Sequence, residues 1–149
     1  MDRQEESREQ PPLNTIAMLG QAYSLLGFRI VDGVVGAGHP VKANHSAVFA
    51  QLGPSGARLT ELAAGAGITP QAMGEIVDEL EALGYVARNP DPRDRRAKVI
   101  TLTVEGHEAV AAGERTIVGL EQDITDVLGE RGHRQLREML TALLGTGVP

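Results

Sequence analysis

One short stretch, Ala66-Gly67-Ile68-Thr69-Pro70, restricts this chain more than any other. It is a corner set between two apolar runs of helical period. Gly67 reaches the left-handed backbone region at little steric cost, which is how a helix is ended. Ile68 is an apolar plug for the bend. Thr69 is a natural N-cap, and Pro70 then falls at N1, where its missing N–H is no loss. Before the corner, Leu62 and Ala66 lie one turn apart. After it, Met73, Ile76, Val77, Leu80 and Leu83 recur at spacings of three and four and are expected to be buried. Ala63 is small enough to let two helices cross closely. The stretch is expected to form helix, tight turn, helix, with Gln71, Ala72, Gly74 and Glu75 on the outer face where the second helix starts.

A hairpin follows. Tyr85-Val86-Ala87-Arg88 and Val99-Ile100-Thr101-Leu102 are β-prone runs. Asn89-Pro90-Asp91-Pro92-Arg93-Asp94-Arg95-Arg96 separates them, and its two prolines are expected to stop either strand from extending inward. Residues 88–98 hold five of the chain's 14 Lys and Arg residues against two acids, a local charge of +3. The whole chain carries −6, so the remainder carries −9. A positive finger on an acidic body points to a polyanion as partner.

Leu59 to Gly67, Gln71 to Gly84, Asn89 to Arg96 and Leu102-Thr103-Val104-Glu105-Gly106 together resemble the MarR family (multiple antibiotic resistance regulators). That family's wing carries Asp-x-Arg, then a strand, then a Leu-Thr-x-x-Gly helix start, and both elements occur here in that order. The resemblance implies a mainly α fold with a small β-hairpin wing: a winged helix-turn-helix flanked by N- and C-terminal dimerisation helices. It implies a homodimeric regulator, most often a repressor, on a palindromic double-stranded operator. It also implies a small phenolic or lipophilic anion as effector.

The flanking segments fit by length and order. Residues 1–12 are polar, charged and end in two prolines, the composition of a disordered arm. Residues 13–149 are read as one domain, with dimerisation helices over 13–40 and 104–149 and the winged helix-turn-helix over 41–103. The first helix, about Leu13 to Val35, has an apolar stripe of Ile16, Leu19, Tyr23, Leu26, Ile30 and Val34. Leu25, Phe28, Val31 and Val35 widen it beyond what one wet-faced helix needs, so a second partner must cover the rest. In a chain of 149 residues a second copy is the natural candidate. A helix is expected over Lys42–Leu52, a short third strand at Ala57–Leu59, and Thr60 as cap of the next helix. Thr103 is expected to cap a long helix to about Leu128, which Gly129 breaks before a last helix over Glu130–Leu144.

Several classes are set aside. Gly33, Gly36 and Gly38 follow no strand and precede no Lys-Ser/Thr pair, so they read as a helix end and linker and not a phosphate loop. There is no Cys, and His39, His45, His107 and His133 show no i, i+4 pair, so neither a metal site nor a cofactor is called for. Neither a nucleophile elbow nor a secretory signal is visible, which leaves a cytoplasmic protein that is not an enzyme as the expectation. Aromatic residues make up only 3%, too few for a single-strand stacking platform.

The candidate DNA-binding residues are Thr69, Gln71, Ala72 and Gly74 on the second helix and Arg88, Arg93, Asp94, Arg95, Arg96 and Lys98 on the hairpin. Arg96 is assigned to the minor groove with Asp94 bracing it by an ion pair. Arg93 and Arg95 are assigned to phosphates or the groove edge. For Arg88 and Lys98, nearer the hairpin base, a structural role competes. Gln71 has the amide that adenine requires. Thr69 can meet phosphate as well as cap. His45, beside the expected cleft, is the candidate ligand contact, against a surface or capping role. The second helix holds no Lys or Arg but four acids, Glu75, Asp78, Glu79 and Glu81. That keeps open an alternative, a winged-helix module whose wing binds another protein without specific DNA binding.

Overall fold

The structure, a computed structural model, describes residues 12–145. Apart from Pro12, the segment expected to be a disordered arm lies outside them. The elements run in the order α1 (Thr15–Gly36), a 3-10 turn (Ala43–His45), α2 (Ser46–Phe49), α3 (Leu59–Ala66), α4 (Pro70–Ala82), β1 (Val86–Asp91), β2 (Asp94–Leu102) and α5 (Val104–Gly145). Gly129, at φ 70° and ψ 162°, interrupts α5, so two helical segments meet at a kink where a break was expected.

The corner forms as its chemistry requires. Gly67 sits at φ 67°, and the Ile68 N–H bonds to the Ala63 carbonyl. The Thr69 hydroxyl accepts the Ala72 N–H at 3.2 Å, with Pro70 opening α4. Leu62, Ala63, Met73, Val77 and Leu80 are buried and join Val34, Val48, Val86, Ile100, Ala109 and Ala112 in one core. Thr103 caps α5 through the Gly106 N–H at 3.0 Å. Gly106 has a steric reason: a Cβ there would stand 2.1 Å from the Tyr85 carbonyl oxygen. The start of α5 therefore lies directly on the base of the hairpin.

Four expectations are corrected. The helix expected over Lys42–Leu52 shrinks to a 3-10 turn and the four residues of α2, because Gln51 N–H bonds back three residues to Val48 and tightens the chain out of α-helix. Thr60 does not cap α3. Arg58 holds that position, and Glu61 accepts its N–H at 2.7 Å. Leu83 is 41% exposed, because α4 ends at Ala82 and Gly84, at φ 83°, turns the chain away. Pro90 does not stop its strand, whereas Pro92 lies in the turn outside both. β1 runs through Pro90, which pairs with Lys98, and a two-stranded ribbon tolerates a proline because both strands are edges. The third strand is a single bridge, Ala57 to Ile100.

α1 lies along α5. Arg29 bonds Asp123 at 2.6 Å, and Gly33 sits so close to Thr116 that a Cβ would meet its hydroxyl at 2.2 Å. Beyond this contact α1 is bare: Ile16, Tyr23, Leu25 and Phe28 are all exposed, and of the whole helix only Val34 is buried.

Candidate nucleic-acid interface

The wing is a ribbon with a break in its register. Pairing runs from Val86 with Leu102 to Pro90 with Lys98, then jumps to Asp91 with Asp94. Arg95, Arg96 and Ala97 therefore face no residue of β1. Such a bulge ejects residues from the ladder, and here it puts two adjacent arginines into solvent.

The acid that holds this shape is Asp91, and its role was not foreseen. Asp91 is fully buried. Its Oδ2 accepts from Arg58 Nε at 2.8 Å, and Arg58 Nη2 lies 2.6 Å away. Its Oδ1 accepts the Arg93 N–H at 2.8 Å. That backbone donor, and then the Arg58 guanidinium, hold the Asp91 carboxyl below its usual range. Arg58 precedes α3, so this contact ties the wing tip to the helix-turn-helix. Asp94 is different from expectation: its carboxylate accepts the backbone N–H of Arg96 at 3.1 Å and forms no ion pair with its side chain. Asp94 shapes the turn and leaves the guanidinium unengaged.

The wing cations fall into three groups. Arg95, Arg96 and Lys98 are exposed and have no ion-pair partner among the described residues. Arg93 is exposed but lies 3.5 Å from Asp91. Arg88 is committed inward, to Asp78 at 2.6 Å and to Glu81, both on α4. It braces the hairpin base against the second helix. At the other end of α4, Thr69, Gln71 and Glu75 are exposed, with Ala72 and Gly74 partly so. A Cβ on Gly74 would have only Leu59 nearby, at 3.8 Å, so packing does not demand a glycine there. The end of α4 and the wing tip thus present polar and cationic groups without internal partners.

A cavity of about 360 Å³ opens between α1, α2 and α5. Val31, Val34, Phe49, Val110 and Ile117 make it apolar, and Lys42, His45, Ser46 and Glu114 are its polar lining. His45 borders this space yet offers it no free nitrogen. It is fully buried, and its Nδ1 accepts the Lys42 N–H at 3.1 Å while Nε2 meets Glu79 at 3.1 Å. The capping role weighed for His45 is thus present. Lys42 and then His45 hold the Glu79 carboxyl below its usual range. No group of three or more metal-ligating side chains occurs among the described residues. No described helix is long and apolar enough to cross a membrane.

Helix, glycine turn, capped helix and basic ribbon define a winged helix-turn-helix. A family model described as the MarR family matches residues 39–97, which span that unit. Over that segment the chain is similar to the MarR family. The transcriptional repressor CouR bound to a 23-mer DNA duplex is 25% identical, with 89% of this chain and 91% of that chain covered and a TM-score of 0.68. CouR from Rhodococcus jostii RHA1 bound to p-coumaroyl-CoA is 23% identical over 87% and 91%, with a TM-score of 0.69. Apo MarR from E. coli is 18% identical over 89% and 98%, with a TM-score of 0.73. No curated protein matches the chain in sequence.

Proposed function

We propose that the protein is a transcriptional repressor that binds double-stranded DNA in a sequence-specific way, as a homodimer on a palindromic operator. One observation carries this: a bulged wing turns Arg95, Arg96 and Lys98 outward with no internal carboxylate to neutralise them. In that role Arg96 enters the minor groove beside the wing, while Arg93, Arg95 and Lys98 meet phosphates. Gln71, Ala72 and Gly74 face the major groove, and Thr69 meets a phosphate at the helix start. Arg88 and Asp94 serve the interface by holding the wing in shape. CouR, similar over most of the chain, is a repressor on a duplex, which supports the same role here.

The dimer rests on the bare apolar face of α1 and on Val127, Met139 and Leu144 of α5, all exposed in the single chain. Apolar surface on this scale marks an interaction site. Pairing these segments leaves two wings and two reading helices for one duplex, about 34 Å apart for successive grooves. Two weak contacts then add their free energies. The cavity is of ligand size, and it lies between the dimerisation helices and the reading unit. We assign it to a small effector, in keeping with the acyl-CoA bound by CouR. An effector that prefers one spacing of the two heads shifts DNA affinity by its differential binding.

Selection of bound duplexes from a random pool, followed by a mobility shift titrated with salt, tests the assignment. An inverted repeat and a steep fall of affinity with salt are expected. No enriched duplex, with affinity insensitive to salt, would leave the wing as a protein-binding surface.

A further inference from the structure

The cavity and the DNA-facing helix share one cluster of side chains. Because His45 Nδ1 accepts the Lys42 N–H, Nε2 carries the proton and donates to Glu79 Oε2. The Lys42 ammonium holds the other oxygen of the same carboxylate, Oε1. Lys42 and His45 both line the cavity. Glu79 belongs to α4, about 13 Å along the axis from its first residue at 1.5 Å per residue. One carboxylate on the reading helix is thus held by two groups that border the ligand space.

The two holds differ. His45 is enclosed and fixed, whereas the Lys42 side chain is 64% exposed and free to swing. Among the described residues Lys42 is the only Lys or Arg lining the cavity, which Glu114 lines as its one acid. An anionic group that enters beside it competes directly with Glu79 for the ammonium.

Resting on the regulator reading above, we propose that Lys42 is shared between two anions: Glu79 on α4, and the carboxylate of an apolar-bodied effector seated in the cavity. When the effector takes the ammonium, Glu79 loses one of its two holds and meets a like charge nearby. The hold of the cavity wall on α4 weakens, and that helix is freer to shift relative to the wall that carries Lys42 and His45. An uncharged molecule of the same shape fills the apolar space without this exchange. The coupling is therefore selective for charge, and its size is the difference in effector affinity between the two arrangements. Lys42 contacts the effector; Glu79 and His45 are positioning residues.

The test uses the full chain and a matched pair of probes, naphthalene-2-carboxylate and naphthalene-2-carboxamide. Both are titrated calorimetrically without DNA, then added to the bound duplex. The carboxylate is expected to bind at least about tenfold tighter than the amide, as a charge-assisted contact requires. Lys42→Met is expected to abolish that preference and leave amide affinity unchanged. Glu79→Gln keeps an oxygen for the His45 N–H but no longer competes for Lys42, so the carboxylate should bind several-fold tighter. In the same variant the carboxylate should release duplex no more than the amide does. Equal binding of the two probes, no binding of the carboxylate, or unchanged carboxylate affinity in Glu79→Gln overturns the proposal. The calorimetric arm needs no DNA, so failure to bind any duplex would sink the regulator reading alone.

Discussion

Replacing Arg96 by alanine should change how steeply DNA binding depends on salt. Each wing offers three cations without internal partners, Arg95, Arg96 and Lys98, hence six in a dimer. If each, in the groove or at a phosphate, displaces counterions at a slope of −0.9, the wings contribute a slope of about −5 to log K against log[salt]. Arg96→Ala removes two of the six, so the slope should become shallower by about 1.8. Arg88→Ala is the matched control, because its guanidinium is occupied by Asp78 and Glu81 on α4. It should leave the slope unchanged and lower the unfolding free energy by about 1 kcal/mol, the scale of partly exposed ion pairs. Fluorescence anisotropy of a labelled duplex between about 50 and about 200 mM salt measures the slope, a range in which such contacts alter affinity strongly. Urea unfolding measures the stability. An unaltered slope in Arg96→Ala, with a shallower one in Arg88→Ala, would refute the division of wing cations into outward and inward groups.

Three other perturbations have signs set by the structure. Gly106→Ala places a methyl 2.1 Å from the Tyr85 carbonyl oxygen, whereas Gly113→Ala meets only Val34 Cγ2 at 3.6 Å. The first should cost about 1–3 kcal/mol in thermal unfolding and the second far less. Asp91 is depressed in the fold, first by the Arg93 N–H and then by Arg58, so its stabilisation is present above the unfolded value near 4. It is lost as pH falls through the lower folded value, so Asp91→Asn should reduce the urea midpoint at neutral pH, with the gap closing in acid. Phe28→Glu puts a charge into the bare face of α1 and should convert the proposed dimer to protomers in sedimentation, with duplex affinity falling in parallel.

What could be read from the sequence was what neighbours in the chain decide. The corner at Gly67 to Pro70, the Thr103 cap and the Gly129 break each rest on a residue's own backbone preference and bonds within a turn. Misreadings arose where distant contacts or a compensating geometry ruled. Asp91 looked like one more wing acid because Arg58, its partner, is 33 positions away. Asp94 looked like the brace of Arg96 because adjacency was the only guide, and the structure uses its carboxylate on a backbone N–H instead. Pro90 looked like a strand terminator, yet a two-stranded ribbon leaves room for a residue with no donor. His45 carried no signal of burial, since that depends on Glu79 arriving from α4.

The acidity of α4 is the feature that most opposed a DNA-reading role, and its placement resolves the conflict. Asp78 and Glu81 are spent on Arg88, and Glu79 on Lys42 and His45. All three lie in the second half of the helix, where negative charge is unfavourable to the helix dipole, so only these partners make their position sensible. The first half keeps the positive end of the dipole, Thr69, Gln71 and a glycine, with Glu75 as its one acid. Without Lys or Arg this end adds little to the attraction for phosphate. It can still discriminate bases at about 1–3 kcal/mol for each well-made bidentate contact. In the proposed complex, holding and sorting are therefore divided between two elements. A change at Arg95 or Lys98 should weaken all duplexes by a similar factor, whereas a change at Gln71 should alter their order.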